Sequence, residues 1–129
     1  MCIRDRASPP HTTLSYGQNA TWGLLYNLYA DSLLQTKLVP TSIYEMQSSF
    51  YPTVIQTYGV PLDTRHNYTK NDWEMWTAAI TDEQTRNTFI SAIAKWISDT
   101  PTNAPATDLY DVSNGNFPAN IQFRGRPVV

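Results

Sequence analysis

Four stretches of this chain repeat apolar residues every three or four positions, and prolines interrupt or stop most of them. That spacing is the helical period, and it constrains the fold more than any other feature. The first stretch, residues 21–38, carries Trp22, Leu24, Leu25, Tyr26, Leu28, Tyr29, Leu33 and Leu34. These wrap most of a helix circumference, as in a helix packed on several sides. Asn19 or Thr21 can cap its start, and Pro40 stops it. The second starts at Ser42, which with Glu45 has the S-x-x-E spacing of a capping box. Ile43, Met46, Phe50, Val54 and Tyr58 lie on one stripe. Pro52 predicts a kink or restart, and Gly59 is placed as a C′ residue before Pro61.

A loop over residues 60–70 precedes a third helix, residues 71–80, with the stripe Trp73, Trp76 and Ile80. Asn71 and Glu74 repeat the capping-box spacing, and Asp72 suits the positive end of the helix dipole. Thr81 and Gln84 form a further box opening a fourth helix, residues 82–98, with Phe89, Ile90, Ile93, Ala94, Trp96 and Ile97. Beyond Pro101 the chain reads as an irregular tail with one short strand near residues 120–123. The pattern is two consecutive helix–loop–helix units, the αα-hairpin of all-α folds. Residues 1–10, charged and ending in Pro9-Pro10, continue no pattern and read as a disordered leader or artefactual segment, leaving residues 11–129 as the domain.

Composition narrows the function classes. The 129 residues carry a net charge of −2 and no block of Lys or Arg that could track a phosphate backbone, so nucleic acid is not an expected partner. Nothing approaches the ~18 consecutive apolar residues of a membrane span. The first residues lack the apolar core of a signal peptide. Charged residues make up 16%, below the usual quarter or so, and the neutral polar, aromatic-rich remainder suits an extracellular protein. Cys2 is the single cysteine, so no internal disulfide or cysteine metal site is expected. Asn19-Ala20-Thr21 and Asn67-Tyr68-Thr69 are N-glycosylation sequons.

Several uncommon runs occur together and in order. They are Trp22-Gly23-Leu24-Leu25-Tyr26-Asn27-Leu28-Tyr29-Ala30-Asp31, Phe50-Tyr51-Pro52-Thr53-Val54, Tyr58-Gly59-Val60-Pro61-Leu62-Asp63-Thr64-Arg65-His66, and Tyr68-Thr69-Lys70-Asn71-Asp72-Trp73-Glu74-Met75-Trp76. Thr107-Asp108-Leu109-Tyr110-Asp111 and the closing Arg126-Pro127-Val128-Val129 follow. Over residues 11–129 the chain resembles the C-terminal part of fungal glutaminase A proteins. The resemblance implies a large secreted parent whose signal peptide lies upstream, with upstream domains as partners and a six-hairpin α/α toroid at its C-terminus. The implied activity is hydrolysis of L-glutamine to L-glutamate and ammonia. Four helices are about a third of such a toroid, so the chain by itself is expected to be inactive.

The densest chemistry is Asp63-Thr64-Arg65-His66 followed by Asp72-Trp73-Glu74. In toroids of this kind, loops between hairpins form the rim where substrates bind. Arg65 could clamp a substrate α-carboxylate bidentately. Asp63 or Glu74 could bind an α-ammonium or activate water, and His66 could move a proton near neutral pH. The competing reading is structural: Asp63 and Arg65 pair with each other, while Asp72 and Glu74 serve the helix start. Asp108, Tyr110 and Asp111 form a second acidic cluster, either a cation site or, more in keeping with its spacing, a solvated turn. Trp22, Trp73, Trp76 and Trp96 stack on sugars or, as their spacing favours, pack in the core. Asn27 and Asp31 form a buried polar pair or face a toroid axis. His11 and His66 are too far apart to suggest a metal site, and no cofactor motif is present. Besides an amidohydrolase, the residues admit a glycoside hydrolase-like part using two carboxylates and a purely structural segment closing a toroid. The first wants an Arg and a carboxylate in a small pocket, the second an open aromatic groove. The third wants the loop's polar groups buried in pairs.

Overall fold

Residues 10–100 and 107–118 are described by the computed structural model. Almost all of the expected leader lies outside them, as do the expected strand at residues 120–123 and the closing run Arg126–Val129. In order, the elements are α1 (Leu28–Leu34), α2 (Thr41–Phe50), a 3-10 turn (Tyr51–Thr53), β1 (Tyr68–Lys70), α3 (Asn71–Ala79), α4 (Glu83–Asp99) and β2 (Leu109–Asp111). The chain is mostly helical, but the all-α expectation is corrected by one two-stranded antiparallel sheet. There Tyr68 faces Asp111, Thr69 faces Tyr110 and Lys70 faces Leu109.

The first helix is much shorter than its apolar run. Residues 22–24 are extended instead and lie against residues 62–64. Leu24 N–H donates to the Leu62 carbonyl (2.9 Å), and Thr64 N–H donates to that of Trp22 (3.2 Å). Gly23 bridges Asp63, and a Cβ on it would sit 3.2 Å from the Leu62 carbonyl oxygen. A run that is apolar all round suits a buried extended segment as well as a buried helix. The Tyr51 hydroxyl accepts the buried Leu25 N–H at 2.9 Å, fixing this lead-in from the far end of α2.

At its other end α1 stops well before Pro40. Gln35 and Lys37 adopt left-handed backbone, with φ of 53° and 54°. The Asp31 carboxylate organises this exit. It accepts Leu38 N–H (2.8 Å), the Thr36 hydroxyl and the Tyr44 hydroxyl of α2 (2.6 Å). Asn27 stands exposed at the head of α1, so the expected Asn27–Asp31 pair does not form.

The capping boxes are corrected in turn. Helix α2 begins at Thr41 after Pro40 with no side-chain cap, so Ser42 and Glu45 do not form a box. The expected break at Pro52 is a 3-10 turn, which ends before Val54. Gly59 therefore caps nothing, and its φ of 145° serves another contact described below. Helix α3 opens after Lys70 without a side-chain cap, although Asp72 Oδ1 accepts Trp73 N–H within the first turn. In α4 the cap is Asp82, one residue past the predicted Thr81, and its carboxylate accepts Thr85 N–H at 2.8 Å. Ser48 of α2 holds that same start, accepting Asp82 N–H on its hydroxyl and the Thr85 hydroxyl on its carbonyl.

Three apolar clusters follow from these placements. Leu24, Tyr51, Val60, Ala78 and Phe89 form the first. Leu25, Leu28, Ile43 and Ile80 form the second, and Trp96, Tyr110 and Val112 the third, where β2 meets α4. Leu33, Leu34 and Leu38 near the end of α1, and Ile97 on α4, remain more than half exposed.

Candidate functional site

The loop before β1 folds back on itself around Asp63. Its two-residue reach to Arg65 lets one carboxylate take three donors. Asp63 Oδ1 accepts Arg65 N–H (2.8 Å) and Nε–H (3.0 Å), and Oδ2 accepts Nη2–H (2.6 Å). Burial works to raise the Asp63 carboxyl, and the Arg65 side-chain and backbone hydrogen bonds overcome it, holding the group below its ordinary value. Asp63 is buried, whereas the Arg65 side chain is 68% exposed. The ring of His66, the third expected participant, stacks on Tyr68 with centroids 4.7 Å apart.

Glu74 belongs elsewhere. It lies on the inner face of α3, is 0% exposed, and has no hydrogen bond or ion pair to Asp63, Arg65 or His66 among the described residues. Its Oε1 accepts Val60 N–H at 2.7 Å. Its Oε2 lies 2.5 Å from the Tyr110 hydroxyl, which is also 2.9 Å from the Tyr58 carbonyl oxygen. A tyrosine hydroxyl has one proton to give, and here it faces two acceptors. The conflict disappears if Glu74 is protonated: its proton goes to Tyr110, that of Tyr110 goes to Tyr58, and every group is satisfied. Burial pushes the Glu74 carboxyl up to about 8, against the opposing pull of the Tyr110 and Val60 hydrogen bonds. Burial, and then Glu74 itself, raise the Tyr110 hydroxyl well above its ordinary value. The bare α-carbon of Gly59 makes room for this carboxyl group.

The second acidic cluster is divided among separate contacts. Asp108 pairs with Lys70 at 2.8 Å, and Lys70 also approaches Asp72 at 3.7 Å. Burial works against the Lys70 ammonium, and Asp108 and Asp72 more than offset it, raising Lys70 above its ordinary value. Asp111 Oδ1 accepts Ser113 N–H and Asn114 N–H, closing a turn, while Tyr110 is buried. Among the described residues no group of three or more His, Cys, Asp or Glu is placed to hold a metal ion. Beside this cluster Tyr26 stacks on Trp73 with centroids 3.8 Å apart, Lys70 Nζ lies 5.2 Å from the Trp73 ring centroid, and Trp76 is 41% exposed. Trp96 is core.

The predicted site residues thus divide into an exposed Arg65 with His66 nearby, and a buried Glu74 below. Tyr110, read from sequence as part of the second acidic cluster, and Tyr58, read as part of a helical stripe, instead complete the Glu74 network. Only the Leu109–Tyr110 apolar step inside an otherwise polar run hints that Tyr110 turns inward.

This ordered set of runs, hairpins and inward polar contacts has relatives. The sequence model of the glutaminase A six helical-hairpin domain matches residues 2–129. The chain belongs to that family. It is 63% identical over 127 residues to Glutaminase A of Aspergillus oryzae, covering 98% of this chain and 18% of that protein. It is 36% identical over 147 residues to a probable glutaminase of Arthroderma benhamiae, covering 92% of this chain and 17% of that protein. The chain therefore spans under a fifth of the length of these two relatives. No solved structure matches it. No helix among the described residues is long and apolar enough to cross a membrane.

Proposed function

We propose that this chain is part of a glutaminase, an amidohydrolase converting L-glutamine to L-glutamate and ammonia, and that it contributes helical hairpins rather than the reacting groups. The observation that carries the second half is the pairing of its polar groups. Asp63 is forked by Arg65, Glu74 is sealed between Val60 and Tyr110, and Asp108 holds Lys70. The Asp63 carboxylate, committed to three donors and held below its ordinary value, is a poor general base, and a Glu74 carboxyl kept neutral and sealed from solvent is no base either. The same commitment disfavours a glycoside hydrolase reading, which needs two carboxylates facing one bond.

The exposed apolar residues Leu33, Leu34, Leu38 and Ile97 fit a segment that further hairpins of an α/α toroid cover. Upstream domains of the same chain are the partners of this reading, and an extracellular location is its setting. A second role is favoured by one observation. Asp63 occupies the Nε and Nη2 side of Arg65, and the side chain remains 68% exposed, so its guanidinium can also receive a substrate carboxylate.

Ammonia release from L-glutamine by the full-length protein tests both. Asp63→Ala and Arg65→Ala, each checked for an unchanged melting temperature, are expected to leave kcat within a few-fold of the parent. A folded Arg65→Ala with KM raised a hundredfold assigns Arg65 to the substrate instead. A full-length protein that releases no ammonia overturns the glutaminase reading.

A further inference from the structure

The two sequons are alike in sequence and unlike in structure. In the first, the Thr21 hydroxyl has structural work: it donates to the Gln18 carbonyl at 2.8 Å and accepts Ser15 N–H at 3.3 Å. Its presence needs no other reason. In the second, Thr69 is the central residue of β1, is 0% exposed, and its Oγ1 has no hydrogen-bond partner among the described residues. A buried hydroxyl without a partner carries a desolvation cost with no return. Valine fills the same volume, favours a strand equally and carries no polar atom. Among the described residues nothing uses the oxygen at position 69, whereas Asn67, two residues earlier, is exposed in the bend before β1.

We infer that Asn67 is an N-glycosylation site, and that the Thr69 hydroxyl is used before folding, by the transferase, and then buried. The donor is a polyprenyl-diphosphate-linked oligosaccharide. The Asn67 side-chain amide nitrogen forms a bond to the anomeric carbon as the bond from that carbon to the diphosphate oxygen breaks. The diphosphate leaves with the electron pair, and the amide nitrogen loses one proton to the transferase. Sequon recognition requires the hydroxyl two residues on, and in this chain that hydroxyl becomes inaccessible once β1 pairs with β2. Modification at Asn67 therefore precedes formation of the sheet, and the sugar is carried outside the strand pair.

The full-length protein, directed through the secretory pathway of a eukaryotic host, is released from its glycans by peptide-N-glycosidase in heavy-oxygen water. Peptide mapping is expected to find residue 67 converted to heavy-oxygen aspartate. Thr69→Val is expected to lose that label and Thr69→Ser to keep it. To isolate the folded-state role of the hydroxyl, Asn67→Gln is compared with Asn67→Gln/Thr69→Val, both free of sugar at this site. The double variant is expected to melt at the same temperature or higher. An unlabelled Asn67 in secreted parent protein overturns the inference. So does a double variant that melts several degrees lower, because the hydroxyl then has a structural purpose. Should the sugar-free variants not be secreted, Thr69→Ser decides alone: a secreted and unlabelled Thr69→Ser overturns the inference.

Discussion

Gly59 and Glu74 are matched face to face: a Cβ built on Gly59 would lie 2.8 Å from the Glu74 carboxyl carbon, closer than real Cβ atoms approach. The glycine φ of 145° is also one that other residues rarely adopt. Gly59→Ala therefore meets a fixed, buried carboxyl group and a strained backbone together. Strain of this kind alone costs about 1–3 kcal/mol. Gly17, with φ of 72° and nothing among the described residues within 4 Å of a built Cβ, is the control. Thermal melts of the full-length protein are expected to show Gly59→Ala lowered much more than Gly17→Ala.

Glu74 gives stability a pH dependence of stated sign. Its folded pKa is about 8, raised by burial above the 4.5 of the free group. A group raised on folding contributes stability that is fully present below its unfolded pKa and lost as pH rises through its folded pKa. Stability is thus expected to fall between about pH 5 and about pH 8, by up to roughly 1.4 kcal/mol per pH unit. Glu74→Gln places an amide N–H where the carboxyl proton sits and cannot ionise. Its melting temperature should run flat over the same range, below the parent at about pH 5 and approaching or passing it at about pH 8. A parent profile with no slope contradicts the neutral carboxyl.

Tyr51→Phe removes one oxygen and leaves the buried Leu25 N–H without its acceptor. An unsatisfied buried donor costs about 1–3 kcal/mol. Chemical denaturation should show a lower midpoint with an unchanged slope, because the compactness of the two states is not altered.

Asp31 has the reverse pH sign to Glu74. Hydrogen bonds from Thr36, then Tyr44, then Leu38 hold its carboxyl at about 2, below its ordinary value. A depressed carboxyl contributes stability present above its unfolded pKa and lost as pH falls through the folded one. Asp31→Asn is expected to be less stable than the parent near neutral pH and to converge on it as the pH falls towards about 2. Hydrogen exchange at Leu38, whose amide donates to this carboxylate, should quicken in the variant.

The helices that the sequence displays best are those whose signal is local. Residues 83–99 keep a helical stripe without interruption, and α4 appears there with its start moved by one residue, because Asp82 rather than Thr81 reaches Thr85 N–H. Residues 22–27 fail the same reading because Leu24 N–H is taken by Leu62, nearly forty positions later, and Leu25 N–H by the Tyr51 hydroxyl, and uniform apolarity does not distinguish helix from extended chain. Glu74 was legible as a residue of interest and illegible in position. The Asn71–Glu74 spacing reads as a helix cap, whereas the contacts that place it, Val60 and Tyr110, come from outside the helix. Asp63 and Arg65 are near neighbours, and their pairing was one of the two readings that the spacing allowed.

The pairing of β1 with β2 has a consequence for the order in which the protein is made. Tyr58 N–H donates to the Val112 carbonyl and Val112 N–H to that of Asn67, so the α3–α4 hairpin is clasped between segments made before and after it. While synthesis has reached only residue 100, Thr69 and Glu74 lack Tyr110 as a partner, and Trp96 lacks the Tyr110 ring that it stacks on. Contacts this distant in sequence slow folding. The nascent hairpin therefore waits, half-dressed, for a dozen further residues before its interior can close.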